Sequence, residues 1–326
     1  MLTMSIGEYT KMFETAGELY RDVCSAVLSQ GRERTTRGFK TKELMAAKLI
    51  LLDPYQSIVA TKARSMKLGF AAAEMAWIIS GSNDARRISF YNREMLKFSD
   101  DGKTLFGAYG PQFKAGLQHV LHMLKEDRET RQAVITFWRP MHDANFKTKD
   151  LPCTVSLHFL PENGKLHLIV YMRSNDVWLG LPYDMSTFTC LQQLIASTAG
   201  FKMGIYVHQV GSLHLYESDY TKAAAVASQP PKTLEWPITL SNDIFSVSDK
   251  LDEYDLVTRH ALPHQVDKAY ADPAIIGDDP FIDFAARLML KKRIDHENKL
   301  RQADQVDAIE SGSSDPAPQD GSAVID

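Results

Sequence analysis

The chain has 326 residues, of which 44% are hydrophobic, a formal net charge of −4 and three cysteines, Cys24, Cys153 and Cys190. A chain of this size can bury one large core, so one main domain with appendages is expected. The mild acidity argues against a nucleic-acid surface and for any nucleotide being bound as a monomer in a pocket; the cysteines form neither a disulfide framework nor a metal motif, which suits a reducing cytoplasm. No stretch approaches the length of a membrane span, and the first residues carry no basic segment followed by an apolar run, so a soluble, unexported protein is expected.

Over 6–28 the apolar residues Tyr9, Met12, Phe13, Ala16, Leu19, Tyr20, Val23 and Val27 recur at three and four, which predicts an amphipathic helix. Residues 31–38 form a basic, hydroxyl-rich loop with Arg34 and Arg37, either a solvated turn or a place where guanidinium forks and backbone amides hold a phosphate. Residues 44–52 and 57–61 read as strands divided by Asp53-Pro54, and 65–79 as an apolar helix. Within that helix Glu74 stands among Ala71, Ala72, Ala73, Met75, Ala76 and Trp77. It either points to water or, if buried there, has its pKa raised toward the range useful for proton transfer.

The polar stretch 84–101 reads as the least regular part of the chain. Tyr109 follows in the turn Leu105-Phe106-Gly107-Ala108-Tyr109-Gly110-Pro111-Gln112. Residues 118–126 predict a short amphipathic helix and 133–138 a strand, with Arg131 just ahead of it.

From Leu151-Pro152-Cys153 the pattern sharpens. Pro152 cannot donate to a ladder, so Cys153 stands at a strand start. Alternating strands over 154–160 and 165–171 flank Glu162-Asn163-Gly164, a hairpin turn signal. Next comes Arg173-Ser174-Asn175-Asp176-Val177-Trp178-Leu179-Gly180-Leu181-Pro182-Tyr183-Asp184, whose Gly-Leu-Pro corner opens a helix at about Met185 that Gly200 closes. Asp184 is placed to be its N-cap. Residues 205–210 form a strand, and the two-residue period puts His214 and Tyr216 on one face. A lone cysteine is usually a small buried hydrophobe; one followed by so many hydrogen-bonding side chains suggests a nucleophile with its substrate clamp. Beyond Tyr220, residues 238–247 read as an edge strand, 280–302 as a helix ending in charge, and 303–326 as a disordered tail.

Cys153, Arg173-Ser174-x-Asp176, Gly180-Leu181-Pro182 and His214-x-Tyr216 resemble, in order and spacing, the thymidylate synthase superfamily. Glu74-Met75-Ala76-Trp77 and the Tyr109-Gly110 turn resemble two further segments of that family, and the resemblance runs with gaps from about Arg34 to Tyr216. It implies an α/β (α+β) fold with a mixed sheet flanked by helices and a sheet-mediated homodimer, the catalytic domain occupying 1–302. It also implies residue roles. Cys153 is the nucleophile, Glu74 manages water and protons, and Tyr109 assists proton removal. Arg37 (with Arg34 as the second choice), Arg173, Ser174 and the neighbouring subunit's copy of Arg131 hold phosphate; Asp176 contacts the folate, Asp184 the base edge, and His214 with Tyr216 the sugar.

Where thymidylate synthase has Asn after Gly-Leu-Pro-aromatic, this chain has Asp184, which looks like the dCMP hydroxymethylase branch. Met95 falls where the family's water-shielding tryptophan stands, and the family's C-terminal closing segment is not recognisable. The resemblance therefore implies conversion of dCMP to 5-hydroxymethyl-dCMP with 5,10-methylenetetrahydrofolate as co-substrate and no metal. The alternatives are thymidylate synthase or a dUMP hydroxymethylase, a CMP hydroxymethylase, and a non-catalytic nucleotide-binding protein.

Overall fold

The computed structural model describes residues 5–139, 147–241, 243–271 and 279–310. Its strands are β1 (Thr10–Phe13), β2 (Arg32–Thr36), β3 (Phe39–Leu51), β4 (Ile58–Thr61), β5 (Arg64–Ser65), β6 (Val134–Thr136), β7 (Thr154–Glu162), β8 (Lys165–Asp176), β9 (Lys202–Tyr216) and β10 (Thr233–Leu234). The main sheet runs β1-β3-β9-β8-β7-β6 with β2 added against β3, while β10, β4 and β5 form a small separate sheet. Pairs β1–β3 and β8–β9 are parallel; the other pairs of the main sheet are antiparallel. The mixed α/β architecture is the expected one.

The hairpin β7–β8 turns on Asn163-Gly164, with φ of 50° and 75°, the left-handed values that a two-residue hairpin turn needs. Along β8 the side chains of Leu166, Leu168, Val170 and Met172 are buried, the alternation expected of a sheet with one face on the core. Against that face lie helices α1 (Ala16–Gln30) and α5 (Leu181–Ala199); α2 (Leu68–Ile79) packs on α5. Helix α5 is buried nearly all round, Ser186, Thr187, Thr189, Gln192 and Gln193 included, because the sheet lies on one side of it and helices on the other.

The remaining helices are α3 (Ala85–Ser89), α4 (Gly110–Glu126), α6 (Tyr220–Ala227), α7 (Ile244–His260), α8 (Pro263–Ala271) and α9 (Pro280–Glu310). Helix α9 packs on α2 and α7. A Cβ on Gly69 would sit 2.7 Å from the Leu288 carbonyl oxygen, so the missing side chain is what lets α9 lie against α2. On α9, Phe281, Ala285, Ala286, Met289 and Leu290 are fully buried.

Several elements differ from the sequence-based expectation. The segment 6–28 is not one helix: Thr10–Phe13 pairs with β3, and α1 starts at Ala16 behind a reciprocal capping box between Thr15 and Glu18, a start signal that outweighs apolar periodicity upstream of it. The 31–38 loop is strand β2 with a two-residue turn at Arg37-Gly38. Helix α4 begins at Gly110 rather than 118 because Pro111 occupies its first turn, where a proline costs no hydrogen bond. Residues 238–247 form no strand; Asp243 caps α7, accepting from the Phe245 and Ser246 backbone N–H groups. Helix α9 runs to Glu310, past the start of the expected tail, and 311–326 lie outside the described residues.

Candidate active site

Cys153 stands immediately before β7, whose ladder to β8 slips between Thr154 and Ser156, an irregularity that re-aims the side chains at a strand's end. Arg173 on β8 holds this start in place. Its backbone N–H donates to the Cys153 carbonyl at 2.9 Å, its Nε donates to the Pro152 carbonyl at 2.9 Å and its Nη2 to the Leu151 carbonyl at 3.0 Å, and Nη2 lies 3.7 Å from Cys153 Sγ. Burial nevertheless raises the thiol above its ordinary value, with the charges of Asp184 and Asp150 adding to the rise and those of Arg173 and Arg37 opposing it. In the isolated chain the desolvation of the thiolate outweighs its guanidinium neighbours.

Glu74 comes from α2 and Asp184 from the first turn of α5. Glu74 is pushed up to about 8, first by burial and then by the charge of Asp184, against a hydrogen bond of 3.5 Å from Thr187 Oγ1 to its Oε2. Asp184 is pushed up to about 7 by burial and by Asp176, against a 2.7 Å hydrogen bond from Asn175 Nδ2 to its Oδ2. The helix opens at Leu181, not Met185, with Gly180 as N-cap and no side-chain cap, so the capping role open to Asp184 is excluded. Its carboxyl turns inward instead. A Cβ on Gly180 would stand 2.7 Å from Asn175 Nδ2 and 3.0 Å from Asp184 Oδ2; the glycine leaves room for that hydrogen bond.

Tyr109 precedes α4, its ring between Phe137 at 4.9 Å and Phe188 at 6.1 Å. Its hydroxyl accepts from the Thr154 N–H at 3.3 Å and is kept protonated by burial and by the charges of Asp184 and Cys153. The turn carrying Tyr109 is fastened to the approach to Cys153 by a 2.8 Å hydrogen bond from Gly107 N–H to Asp150 Oδ2. Cys153, Glu74, Tyr109 and Asp184 each keep part of their surface open, and the charge of Asp184 acts on the other three.

On the β8–β9 ladder, Asp176 pairs in register with His214 and Ser174 with Ser212. Ser174 Oγ is 3.5 Å from His214 Nδ1, and the rings of His214 and Tyr216 meet edge-on at 5.3 Å. Asp176 Oδ1 accepts from the Trp178 and Leu179 N–H groups at 2.7 and 2.9 Å. Arg37 stands exposed at the β2–β3 turn, and its charge reaches both Cys153 and Tyr216. Arg34 is committed to Glu43 at 2.9 Å, which leaves Arg37 as the better anion ligand of the two. Arg131 is exposed ahead of β6 and has no contact with the Cys153 cluster among the described interactions. Met95 is half-buried in a 3₁₀ turn, Arg93–Phe98.

Sequence reasoning passed over four residues that the fold brings to this site. Thr187 lies three positions after Asp184 on α5, a spacing that shares a helix face. Asn175, His208 and Tyr206 form a buried chain behind Asp184, with His208 Nε2 2.9 Å from Asn175 Oδ1 and Tyr206 Oη 2.6 Å from His208 Nδ1. The two-residue spacing of Tyr206 and His208 on a strand was the signal available. Among the described residues no group of three or more His, Cys, Asp or Glu could hold a metal ion, and no helix is long and apolar enough to cross a membrane.

A family model described as Thymidylate synthase matches residues 18–257. The chain belongs to the thymidylate synthase family. A relative named deoxyuridylate hydroxymethyltransferase, from Bacillus phage SP01, is 32% identical over 229 residues, 65% of this chain and 60% of its own length. Another of the same name, from Pseudomonas phage M6, is 30% identical over 185 residues, 55% of this chain and 53% of its own. The chain thus spans between half and two thirds of the length of these family members. The match also reaches beyond Tyr220, where the resemblance in sequence fades, to cover most of α7.

Proposed function

We propose that this chain is a pyrimidine deoxynucleotide 5-hydroxymethyltransferase with dUMP as substrate. The family and the names of the relatives support a hydroxymethylase and favour dUMP over the dCMP expected from Asp184. That expectation rested on the resemblance of Asp184 to the dCMP hydroxymethylase branch. Uracil offers an N3–H donor and an O4 acceptor. An ionised carboxylate would face O4 with a second acceptor, but a neutral carboxyl offers a donor and an acceptor, as an Asn amide does. The observation that carries this reading is the pair of relatives named deoxyuridylate hydroxymethyltransferase; Asp184, held at about 7 by burial, is compatible with it because the neutral form is populated beside the ionised one at neutral pH. Cytosine is the second reading, because the ionised form of the same group accepts from its 4-amino group.

The chemistry follows from the side chains. Cys153 Sγ adds to C6 of the pyrimidine, which makes C5 nucleophilic; because burial holds the thiol protonated, proton loss accompanies attack. The family's co-substrate, 5,10-methylenetetrahydrofolate, supplies the one-carbon unit that becomes bonded to C5. Asp176 suits that ligand. With Oδ1 taken by two backbone N–H groups, Oδ2 can accept from a pterin, and Leu179 beside it is an apolar shelf 64% exposed. Tyr109, protonated, hydrogen-bonds the water that takes the C5 proton; the bond between the one-carbon unit and the folate nitrogen then breaks, tetrahydrofolate leaves with a proton on that nitrogen, and an exocyclic methylene remains on C5. Glu74 is held at about 8; its ionised fraction takes a proton from water as the water adds to the exocyclic methylene, and returning that proton releases Cys153 as thiol.

Arg37, Arg173 and Ser174 hold the phosphate, and His214 with Tyr216 the sugar. The active form is a homodimer packed sheet to sheet, with Arg131 serving the neighbouring subunit's phosphate. The exposure of Arg131 and the half-exposed sheet face bearing Val155, Ile169 and Ile205 support this. The test is to incubate the protein with methylenetetrahydrofolate and dUMP, dCMP or CMP and weigh the nucleotide product. A dUMP product heavier by CH₂O, with tetrahydrofolate released unoxidised, is expected; a methylated product with stoichiometric dihydrofolate, or turnover confined to a cytosine nucleotide, overturns the reading.

A further inference from the structure

The chain behind Asp184 has a direction. His208 is fully buried and pushed down to about 3 by that burial, so its ring is neutral and carries a single N–H. Asn175 turns its Oδ1 to His208 Nε2 and its Nδ2 to Asp184 Oδ2. An amide oxygen only accepts, so Nε2 holds the ring proton. Nδ1 is therefore bare and takes its hydrogen bond from the Tyr206 hydroxyl. Every donor then points the same way: Tyr206 to His208, His208 to Asn175, Asn175 to Asp184.

We propose that Tyr206, His208 and Asn175 are positioning residues for base selection, a one-way hydrogen-bond chain that keeps Asp184 Oδ2 an acceptor and so confines any Asp184 proton to Oδ1. The proposal rests on Asp184 as the base reader put forward above. Oδ2, which accepts from the Asn175 amide, keeps a second lone pair for uracil N3–H, and a proton on Oδ1 donates to uracil O4. If the chain ran the other way, Asn175 would present its oxygen to Asp184, the carboxyl would donate inward, and Oδ1 would be left as a bare acceptor suited to the cytosine amino group. The same aspartate reads either base: in the present polarity its neutral form donates to uracil and its ionised form accepts from cytosine, whereas the reversed polarity would leave no form that donates to uracil. Gly180 permits the arrangement, since any side chain there would meet both Asn175 Nδ2 and Asp184 Oδ2.

The readout is the ratio of dUMP to dCMP affinity, measured by titration calorimetry on the full chain, so that it does not depend on turnover. His208→Leu removes the donor that orients Asn175 and should lower the ratio about tenfold; Tyr206→Phe, which deletes one hydroxyl and leaves the packing intact, should lower it about threefold. His208→Gln, whose amide can donate to Asn175 and accept from Tyr206, should restore it to within about twofold of the parent. Variants that weaken both nucleotides by one common factor would reduce these residues to a structural role and overturn the proposal. Should His208→Leu not fold, Tyr206→Phe decides alone. A parent that fails to discriminate the two nucleotides sinks Asp184 as base reader and the relay with it. A parent that discriminates, with a ratio that no variant moves, sinks the relay and leaves the reader standing.

Discussion

Replacing Asp184 by Asn removes a titrating group while keeping its shape, and its amide offers the donor and acceptor of the neutral acid. Burial lifts Asp184 from 3.8 to about 7. A raised acid binds its proton more tightly in the folded chain than in the unfolded one. Its contribution to stability is therefore fully present below the unfolded value of 3.8 and is lost as pH rises toward the folded value of about 7. The full interval converts to about 4 kcal/mol; since the residue is partly exposed and its carboxyl receives the Asn175 hydrogen bond, about 2 kcal/mol is the working figure. Asp184→Asn should then melt with the parent near pH 4 and roughly 4 °C above it near pH 8.

The groups facing Asp184 are Glu74 from α2, Asp176 from β8, Cys153 ahead of β7, Tyr109 ahead of α4 and Tyr206 from β9. Of these, Glu74 should fall from about 8 once the charge beside it is gone. In steady-state assays on dUMP, kcat/KM should stay within about threefold of the parent at neutral pH and no longer decline as Asp184 ionises, while dCMP use drops by about tenfold or more. Loss of dUMP use with dCMP use intact, or a melting profile that tracks the parent at every pH, would refute the neutral-carboxyl argument.

Cys153→Ser should abolish turnover, by about 10³-fold or more, with nucleotide binding retained, because a hydroxyl is far less ionised and less nucleophilic than a thiol; substantial product from the serine variant would remove Cys153 from its role. Glu74→Gln keeps a neutral hydrogen-bonding group but cannot exchange a proton, so kcat should fall by about 10²–10³ and the pH–rate profile should lose the step that Glu74 contributes near 8. A parental profile in that variant would place the titration elsewhere. Mixing an Arg131→Ala chain with a Cys153→Ala chain under subunit exchange should recover activity through hybrids with one intact site. Mixtures no more active than the separate variants would end the shared-site idea.

How much of this was legible in the sequence differs by element. The hairpin about Asn163-Gly164 and the strand alternation after it were readable because turn chemistry and a two-residue period agree there. The first helix was overextended because Tyr9, Met12 and Phe13 continue its three-and-four spacing by accident, whereas the capping box at Thr15 and Glu18 is a local signal that stops it. The apolar run before Asp243 resembles a strand until the side-chain cap is noticed. At the site, motif order singled out Cys153, Glu74, Tyr109 and Asp184, and a raised Glu74 was foreseeable from its apolar neighbours; that Asp184 is raised too and that burial outweighs the arginines at the Cys153 thiol depend on which elements pack over them. The same holds for His208, fifteen residues of β9 giving no hint that its ring meets Asn175 on the neighbouring strand.

The family match ends at residue 257, yet α9, which begins at Pro280, lies against the helix that carries Glu74, close enough at Gly69 to leave no room for a methyl group. The limit of recognisable kinship is therefore not the limit of the folding unit. A chain trimmed to the matched region would keep every residue assigned a chemical role and lose the buttress behind one of them. With Met289 and Leu290 gone, α2 could roll, water would enter from the rear, and Glu74 would drift back toward an ordinary carboxylate. Such a truncation also strips Phe281, Ala285 and Ala286 from the core and would be expected to lose stability first, a defect easily mistaken for damage to the active site itself.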